Sequence, residues 1–148
     1  MTEADMTKIL LVDDNPTDVE LALRGLRKCN LANKVQVLKD GAEALEFLFK
    51  DGEYCRLSAA DKPNLILLDL KLPKVGGLEV LRKVKSDECT KLIPVVIMTS
   101  SDEEKDMVES YKLGVNSYIT KPVDFVKFTE IVAKLGFYWV LLNKTPQD

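Results

Sequence analysis

The sequence has 148 residues, 46% hydrophobic and 30% charged, a balance that supplies one well-cored domain and excludes a disordered or low-complexity chain. Its net charge of −3, with both signs intermixed, is not that of a protein gripping nucleic acid, so any effect on DNA is expected to be indirect. Histidine is absent, which excludes a histidine base, a histidine-containing triad, a histidine metal ligand and a phosphohistidine.

Residues 1–7 lack an apolar core and are read as an N-terminal tail, and no apolar run approaches the ~18 residues of a membrane span. Lys8–Val12 is a short apolar run that breaks into Asp13-Asp14-Asn15-Pro16. This reads as a strand, an acidic loop and a helix with Asn15 as N-cap and Pro16 at the first helical position. Val19, Ala22, Leu23 and Leu26 recur on one face, and the helix is expected to run to about Lys28. Val35, Val37 and Leu38 predict a second strand, and Asp40-Gly41-Ala42-Glu43 a capping box for a helix with Leu45, Leu48 and Phe49 turned inward. The connection 51–63 is long beside the usual ~2 to 6 residues of α/β units and is read as a surface excursion. Cys29, Cys55 and Cys89 form no CxxC pair, which suits reduced thiols and a cytoplasmic protein.

Asn64–Leu68, between Pro63 and Pro73, reads as a central strand buried on both faces. It delivers Asp69 to the strand's carboxyl end, where open α/β sheets place their ligands. Gly76-Gly77 opens a helix with Leu78, Leu81 and Val84 on one face, and Ile93–Thr99 is another buried strand. Ser101 and Glu104 predict a second capping box, for a helix with Val108 and Tyr111 inward that stops at Gly114. Ser117–Thr120 is a short fifth strand, followed by Lys121-Pro122 and a last helix from near Asp124. Five successive β-α units predict an α/β domain over residues 8–142, a doubly wound five-stranded parallel sheet with helices on both faces, and a tail at 143–148. In the last helix Phe125, Phe128, Val132, Leu135, Trp139 and Leu142 form one stripe, whereas Phe137 and Leu141 fall on nearly the opposite side.

In a parallel sheet the strand ends meet on one edge, bringing together Asp13, Asp14, Asp69, Thr99 and Lys121. Three carboxylates so placed repel one another, and a cation or raised pKa values must relieve this. All the donors are oxygens, which points to a hard ion, Mg²⁺. Lys121 supplies a point charge and Thr99 a hydroxyl for an incoming phosphoryl oxygen. With no GxxxxGK[ST] loop in the chain, that group must come from a separate molecule.

In type, order and approximate spacing, Asp13-Asp14, Asp69, Thr99-Ser100 and Lys121-Pro122 resemble the receiver domain of two-component response regulators. The resemblance covers about Lys8 to Leu135 and implies the chemotaxis-type, flavodoxin-like fold with strand order 2-1-3-4-5. It implies that Asp69 is a phosphoacceptor, taking a phosphoryl group from a sensor histidine kinase and forming an aspartyl phosphate. Asp14 and Asp69 would hold Mg²⁺ directly, Asp13 mainly through water, and Lys71 through its backbone carbonyl. Lys121 would pair with the phosphoryl group, and the Lys121-Pro122 bond would be cis. Small Ser100 leaves the approach open. Thr99 and Tyr118 would form the switch, Thr99 moving to the phosphoryl group and Tyr118 turning inward behind it, to change contacts with a downstream protein target.

Lys71 and Gly76 depart from the family's usual pattern without touching the acidic set. The absence of an output domain, the long loop before Asn64 and the Phe137-Tyr138-Trp139 ending resemble the stand-alone regulators that partner bacterial phytochromes and related kinases. Phe137 and Leu141 are then expected to form a homodimer or kinase-docking surface. No enzymatic turnover is expected beyond self-phosphorylation and slow self-dephosphorylation, and neither nucleic acid nor membrane is an expected partner. A phosphatase of the haloacid-dehalogenase type expects Asp-x-Asp at the nucleophile, where Lys71 stands here. A flavodoxin-like electron carrier needs a hydroxyl- and Gly-rich cradle where this chain has Asp13-Asp14. The remaining alternative is a receiver-like binding module that works without phosphorylation, which the intact acidic set argues against.

Overall fold

The computed structural model describes residues 8–28, 34–50, 54–55, 62–122, 124, 126–128, 130–131 and 134. In chain order the elements are β1 (Lys8–Val12), α1 (Pro16–Lys28), β2 (Lys34–Leu38), α2 (Gly41–Leu48), β3 (Phe49–Lys50), β4 (Tyr54–Cys55), β5 (Leu65–Leu68), α3 (Gly77–Ser86), β6 (Val95–Thr99), α4 (Glu104–Leu113) and β7 (Ser117–Thr120). Five strands form one parallel sheet in the order β2-β1-β5-β6-β7, which is 2-1-3-4-5 of the five strands read from the sequence.

The sheet explains its own sequence. Successive side chains of a strand point to opposite faces, and here both faces are covered, so β5 is wholly apolar and β1 and β6 are apolar except for Lys8 at the start of one and Thr99 at the end of the other. Leu10, Val12, Ile66, Leu68, Val95 and Ile97 pack on one face against Ala44 and Leu48 of α2 and Val80, Leu81 and Val84 of α3. Ile9, Leu11, Leu65, Leu67, Val96 and Met98 pack on the other against Ala22 and Leu26 of α1 and against Phe128. Phe128 lies in a helical stretch of the last segment, where the Asp124 carboxylate accepts from the Lys127 amide at 3.1 Å. Its ring lies close to α1 because position 25 is glycine; a Cβ there would sit 2.4 Å from the ring.

Several expectations are corrected. Phe49 is buried, but as the first residue of β3, paired antiparallel with β4 in a small hairpin at the start of the long connection. The capping box of α2 holds in its first half, Asp40 being the N-cap and accepting from the Glu43 amide, whereas the Glu43 carboxylate accepts from the Lys39 amide and not from that of Asp40. In α3 it is Val80, with Leu81 and Val84, that is fully buried, and Leu78 packs at the margin.

The largest correction concerns α4. Its N-cap is Glu103 with no side-chain cap bond, because the Ser101 hydroxyl donates to Asp106 instead. Val108 and Tyr111 are 44% and 50% exposed, and Met107 is exposed beside them. The inward line is Asp106, Ser110 and Leu113, spaced at helical period but mostly polar. The period was legible and its phase was not. Phase depends on the neighbours, and small Ser110 together with the Asp106–Ser101 bond draws that side inward. The helix stops at Gly114, at φ +100°, as expected. The expectations for Phe125, Val132, Leu135, Phe137, Trp139, Leu141 and Leu142 lie outside the described residues.

Candidate functional site

The ladder continues one residue past each strand and fixes the site. The Asp13 amide donates to the Leu38 carbonyl at 3.0 Å, the Asp69 amide to the Val12 carbonyl at 3.0 Å, and the Lys121 amide to the Thr99 carbonyl at 2.7 Å. These bonds bring Asp13, Asp69, Thr99 and Lys121 to one edge of the sheet. The loop after Asp69 is pressed onto the start of α3: the Gly77 amide donates to the Leu70 carbonyl at 2.9 Å, and a Cβ on Gly77 would sit 2.2 Å from the Asp69 carbonyl oxygen. Only glycine lets the helix begin so close beneath the site. Lys121-Pro122 is cis, as the resemblance implied.

Asp13 and Asp69 are buried and Asp14 is exposed. Carboxylate oxygens of the three lie within 4.8 Å of one another. Each buried carboxylate spends one oxygen on the backbone, Asp13 Oδ1 accepting from the Asn15 amide and Asp69 Oδ1 from the Lys71 amide, both at 3.0 Å. The other oxygens converge on Lys121 Nζ, 2.9 Å from Asp13 Oδ2 and 2.9 Å from Asp69 Oδ2. A third carboxylate, Asp18 Oδ2, lies 2.8 Å from the same nitrogen.

Burial pushes the Asp13 carboxyl above the usual range, an effect that its bonds to the Asn15 amide and Lys121 only partly offset. Burial alone would lower Lys121; its bonds to Asp18, Asp13 and Asp69 outweigh it and hold the ammonium charged beyond the ordinary lysine range. The three clustered carboxylates fit a hard divalent cation. The donors are all oxygens, exposed Asp14 leaves a solvent side for retained waters, and the raised Asp13 marks charge repulsion and desolvation that a cation would relieve.

Asp13→Asn is therefore expected to raise the melting temperature of the metal-free protein by a few degrees at neutral pH. Between the ordinary carboxyl value of 3.8 and the raised folded value the native state binds the extra proton, so Asp13 costs stability as pH rises through that window. Thermal melts from acid to neutral pH should show the gain growing with pH. A gain largest in acid would contradict the burial argument.

Thr99 is fully buried, and its Oγ1 accepts from the Ser101 amide at 3.2 Å. The Ser101 carbonyl accepts from the Tyr118 hydroxyl at 2.9 Å, and the Ser101 hydroxyl donates to Asp106. Partial burial of Tyr118 raises its hydroxyl above the ordinary value. Ser100, Lys71 and Pro122 are exposed or largely so at the rim of this edge. Two partners were missed in the sequence. Asp18 was readable in principle, standing one helical turn beyond Asp14 in a helix that starts at the sheet edge. Ser101 was assigned to a cap, although it is the residue that joins Thr99, Tyr118 and α4.

Residues 9–133 match the family described as the response regulator receiver domain. The chain belongs to that family. Among similar receivers is the response regulator Rcp1 of Synechocystis sp. (strain PCC 6803), 39% identical over 132 residues that make up 89% of this chain and 88% of Rcp1. The crystal structure of the Mn²⁺-bound form of Rcp1 superposes with a TM-score of 0.72, at 36% identity, over 90% of this chain and 94% of that one. The structure of the phosphorylated cyanobacterial phytochrome response regulator RcpA gives 0.73, at 39% identity, over 91% and 94%. The bacteriophytochrome response regulator AtBRR gives 0.68, at 50% identity, over 88% and 93%. Like this chain, these relatives match over nearly their whole length as receivers. Among the described residues no helix is long and apolar enough to cross a membrane.

Proposed function

We propose that this receiver is a stand-alone response regulator of the cytoplasm that accepts a phosphoryl group on Asp69 from a sensor histidine kinase, in a Mg²⁺-dependent reaction. The observation that carries this reading is the placement of Asp69 Oδ2 2.9 Å from Lys121 Nζ inside the Asp13–Asp14–Asp69 cluster. An oxygen of the Asp69 carboxylate attacks phosphorus, the bond from phosphorus to the kinase imidazole nitrogen breaks, and that nitrogen keeps the electron pair. Asp14 and Asp69 would hold Mg²⁺ directly, Asp13 through water and Lys71 by its carbonyl. When bound, the ion offsets the charge of the transferring group. Lys121 shifts one ammonium hydrogen bond from Asp69 to a phosphoryl oxygen.

Thr99 Oγ1 accepts from the Ser101 amide, and its O–H would donate a hydrogen bond to the phosphoryl group. That movement pulls on Ser101 and so on Tyr118, changing the surface that a downstream protein reads. The names of RcpA and AtBRR support a phytochrome as the kinase. A homodimer through Phe137 and Leu141 belongs to this proposal as well.

Two measurements on the wild type test it. With Mg²⁺ and a small acyl-phosphate donor the chain should acquire hydroxylamine-sensitive phosphate; a protein that stays unlabelled is a receiver-like binding module. Millimolar Mg²⁺ should raise the melting temperature by favouring the folded state, and Asp14→Ala should blunt that rise. An undiminished rise in Asp14→Ala would remove Asp14 from the metal site.

A further inference from the structure

An ammonium has three protons, and at Lys121 three carboxylates take them: Asp13 Oδ2 at 2.9 Å, Asp69 Oδ2 at 2.9 Å and Asp18 Oδ2 at 2.8 Å. Two of the three belong to the reacting cluster; Asp18 does not. In the proposed phosphoryl transfer Asp69 would become a mixed anhydride with phosphate and Asp13 would face the bound cation, so two of the holds on Lys121 would change in each cycle. Asp18 neither carries phosphate nor belongs to the clustered set, and its hold persists.

Its position is fixed by backbone. Asn15 Oδ1 accepts from the amides of Thr17 at 2.9 Å and Asp18 at 3.1 Å, which places Asp18 on the first turn of α1 with its carboxylate at the sheet edge. Helix capping is thus already performed by Asn15. Complementing the helix dipole needs a charge near the first turn, not an oxygen aimed at one ammonium. The Asp18 side chain is 24% exposed and that of Lys121 10%, so the pair is shielded in a way that open surface ion pairs such as Arg24–Glu20 are not.

We propose that Asp18 is a positioning residue: it anchors the Lys121 ammonium beside Asp69 while the other two partners exchange, so that phosphoryl uptake is fast and the acyl phosphate is held. This deepens the reading of Asp69 as phosphoacceptor and rests on it.

The test uses the full chain with Asp18→Asn, which keeps the shape and loses the charge, and Asp18→Glu, which restores the charge in a site with room at its solvent side. In nitrogen-15 NMR of the metal-free protein a three-bonded ammonium exchanges slowly with water and gives a signal, assigned by its loss in Lys121→Met. That signal should vanish in Asp18→Asn and return in Asp18→Glu. Uptake from a small acyl-phosphate donor should slow by about tenfold to a hundredfold in Asp18→Asn, as expected for a displaced reacting group, with most of the rate recovered in Asp18→Glu. The Mg²⁺ concentration for half-maximal uptake should be unchanged in both. An intact ammonium signal and wild-type uptake in Asp18→Asn would overturn the proposal. So would a slowed rate accompanied by a matching rise in the Mg²⁺ requirement, which would make Asp18 part of the cation's field. Failure of the wild type itself to take up phosphate would count against the phosphoacceptor reading, whereas the NMR signal judges the anchor by itself.

Discussion

Asp69→Asn is expected to abolish acyl-phosphate formation. The substitution preserves size and leaves Oδ1 to accept from the Lys71 amide, so the loop keeps its local bond. What disappears is the anionic Oδ2 that lies 2.9 Å from Lys121 within the carboxylate cluster, at the end of the central strand β5. An amide oxygen is a far poorer nucleophile, and uptake should fall by at least about a hundredfold, equivalent to ~2.7 kcal/mol of barrier. Thr99→Ala, by contrast, should still be labelled while failing to pass the change to Ser101. The measurement is hydroxylamine-sensitive label after incubation with donor and Mg²⁺. Equal labelling of wild type and Asp69→Asn would remove Asp69 as the acceptor.

The second large effect is on stability. Lys121→Met keeps an unbranched chain of similar reach but withdraws the ammonium from Asp13 and Asp69, whose side chains are 1% and 5% exposed. Removing one partner from a buried charged group leaves uncompensated charge and costs about 3–5 kcal/mol, largely because the remaining ions are neither solvated nor paired. Denaturant unfolding of the metal-free protein should show that loss. Mg²⁺ should restore part of it by supplying positive charge at the same carboxylates. A change below about 1 kcal/mol would mean that solvent screens the cluster. The contrast with Asp13→Asn is diagnostic: removing one anion from the group should stabilise, and removing its cation should destabilise.

The sheet was readable because each of its central strands is an unbroken apolar run that ends in a polar residue, and a parallel sheet buried on both faces leaves that pattern. Asp13, Asp14, Asp69, Thr99 and Lys121 were legible for the same reason, since strand ends in this topology share an edge. What escaped were relations between elements. The hairpin of Phe49–Lys50 with Tyr54–Cys55 is too short to show a period of two. Met107, Val108 and Tyr111 have helical spacing with any phase, and it is buried Ser110 together with the bond from Ser101 to Asp106 that turns the other side inward. In the sequence Asp18 is indistinguishable from an ordinary first-turn acid, because its partner is Lys121, 103 residues further on.

Helix α4 has a consequence in the free energy of local opening. α3 buries Val80, Leu81 and Val84 completely, whereas α4 buries only Ser110 and turns Met107, Val108 and Tyr111 to solvent. Lifting α4 from the sheet exposes little new apolar surface, so its cost falls well below that of global unfolding. Against so small a balance, one hydrogen bond gained or lost at Ser101, worth about 1 kcal/mol, changes the ratio of docked to undocked helix roughly fivefold. Amide protons along α4 should accordingly trade with solvent far sooner than those of α3. Among the helices described from end to end, the one that buries least is thus wired, through one serine, to Thr99.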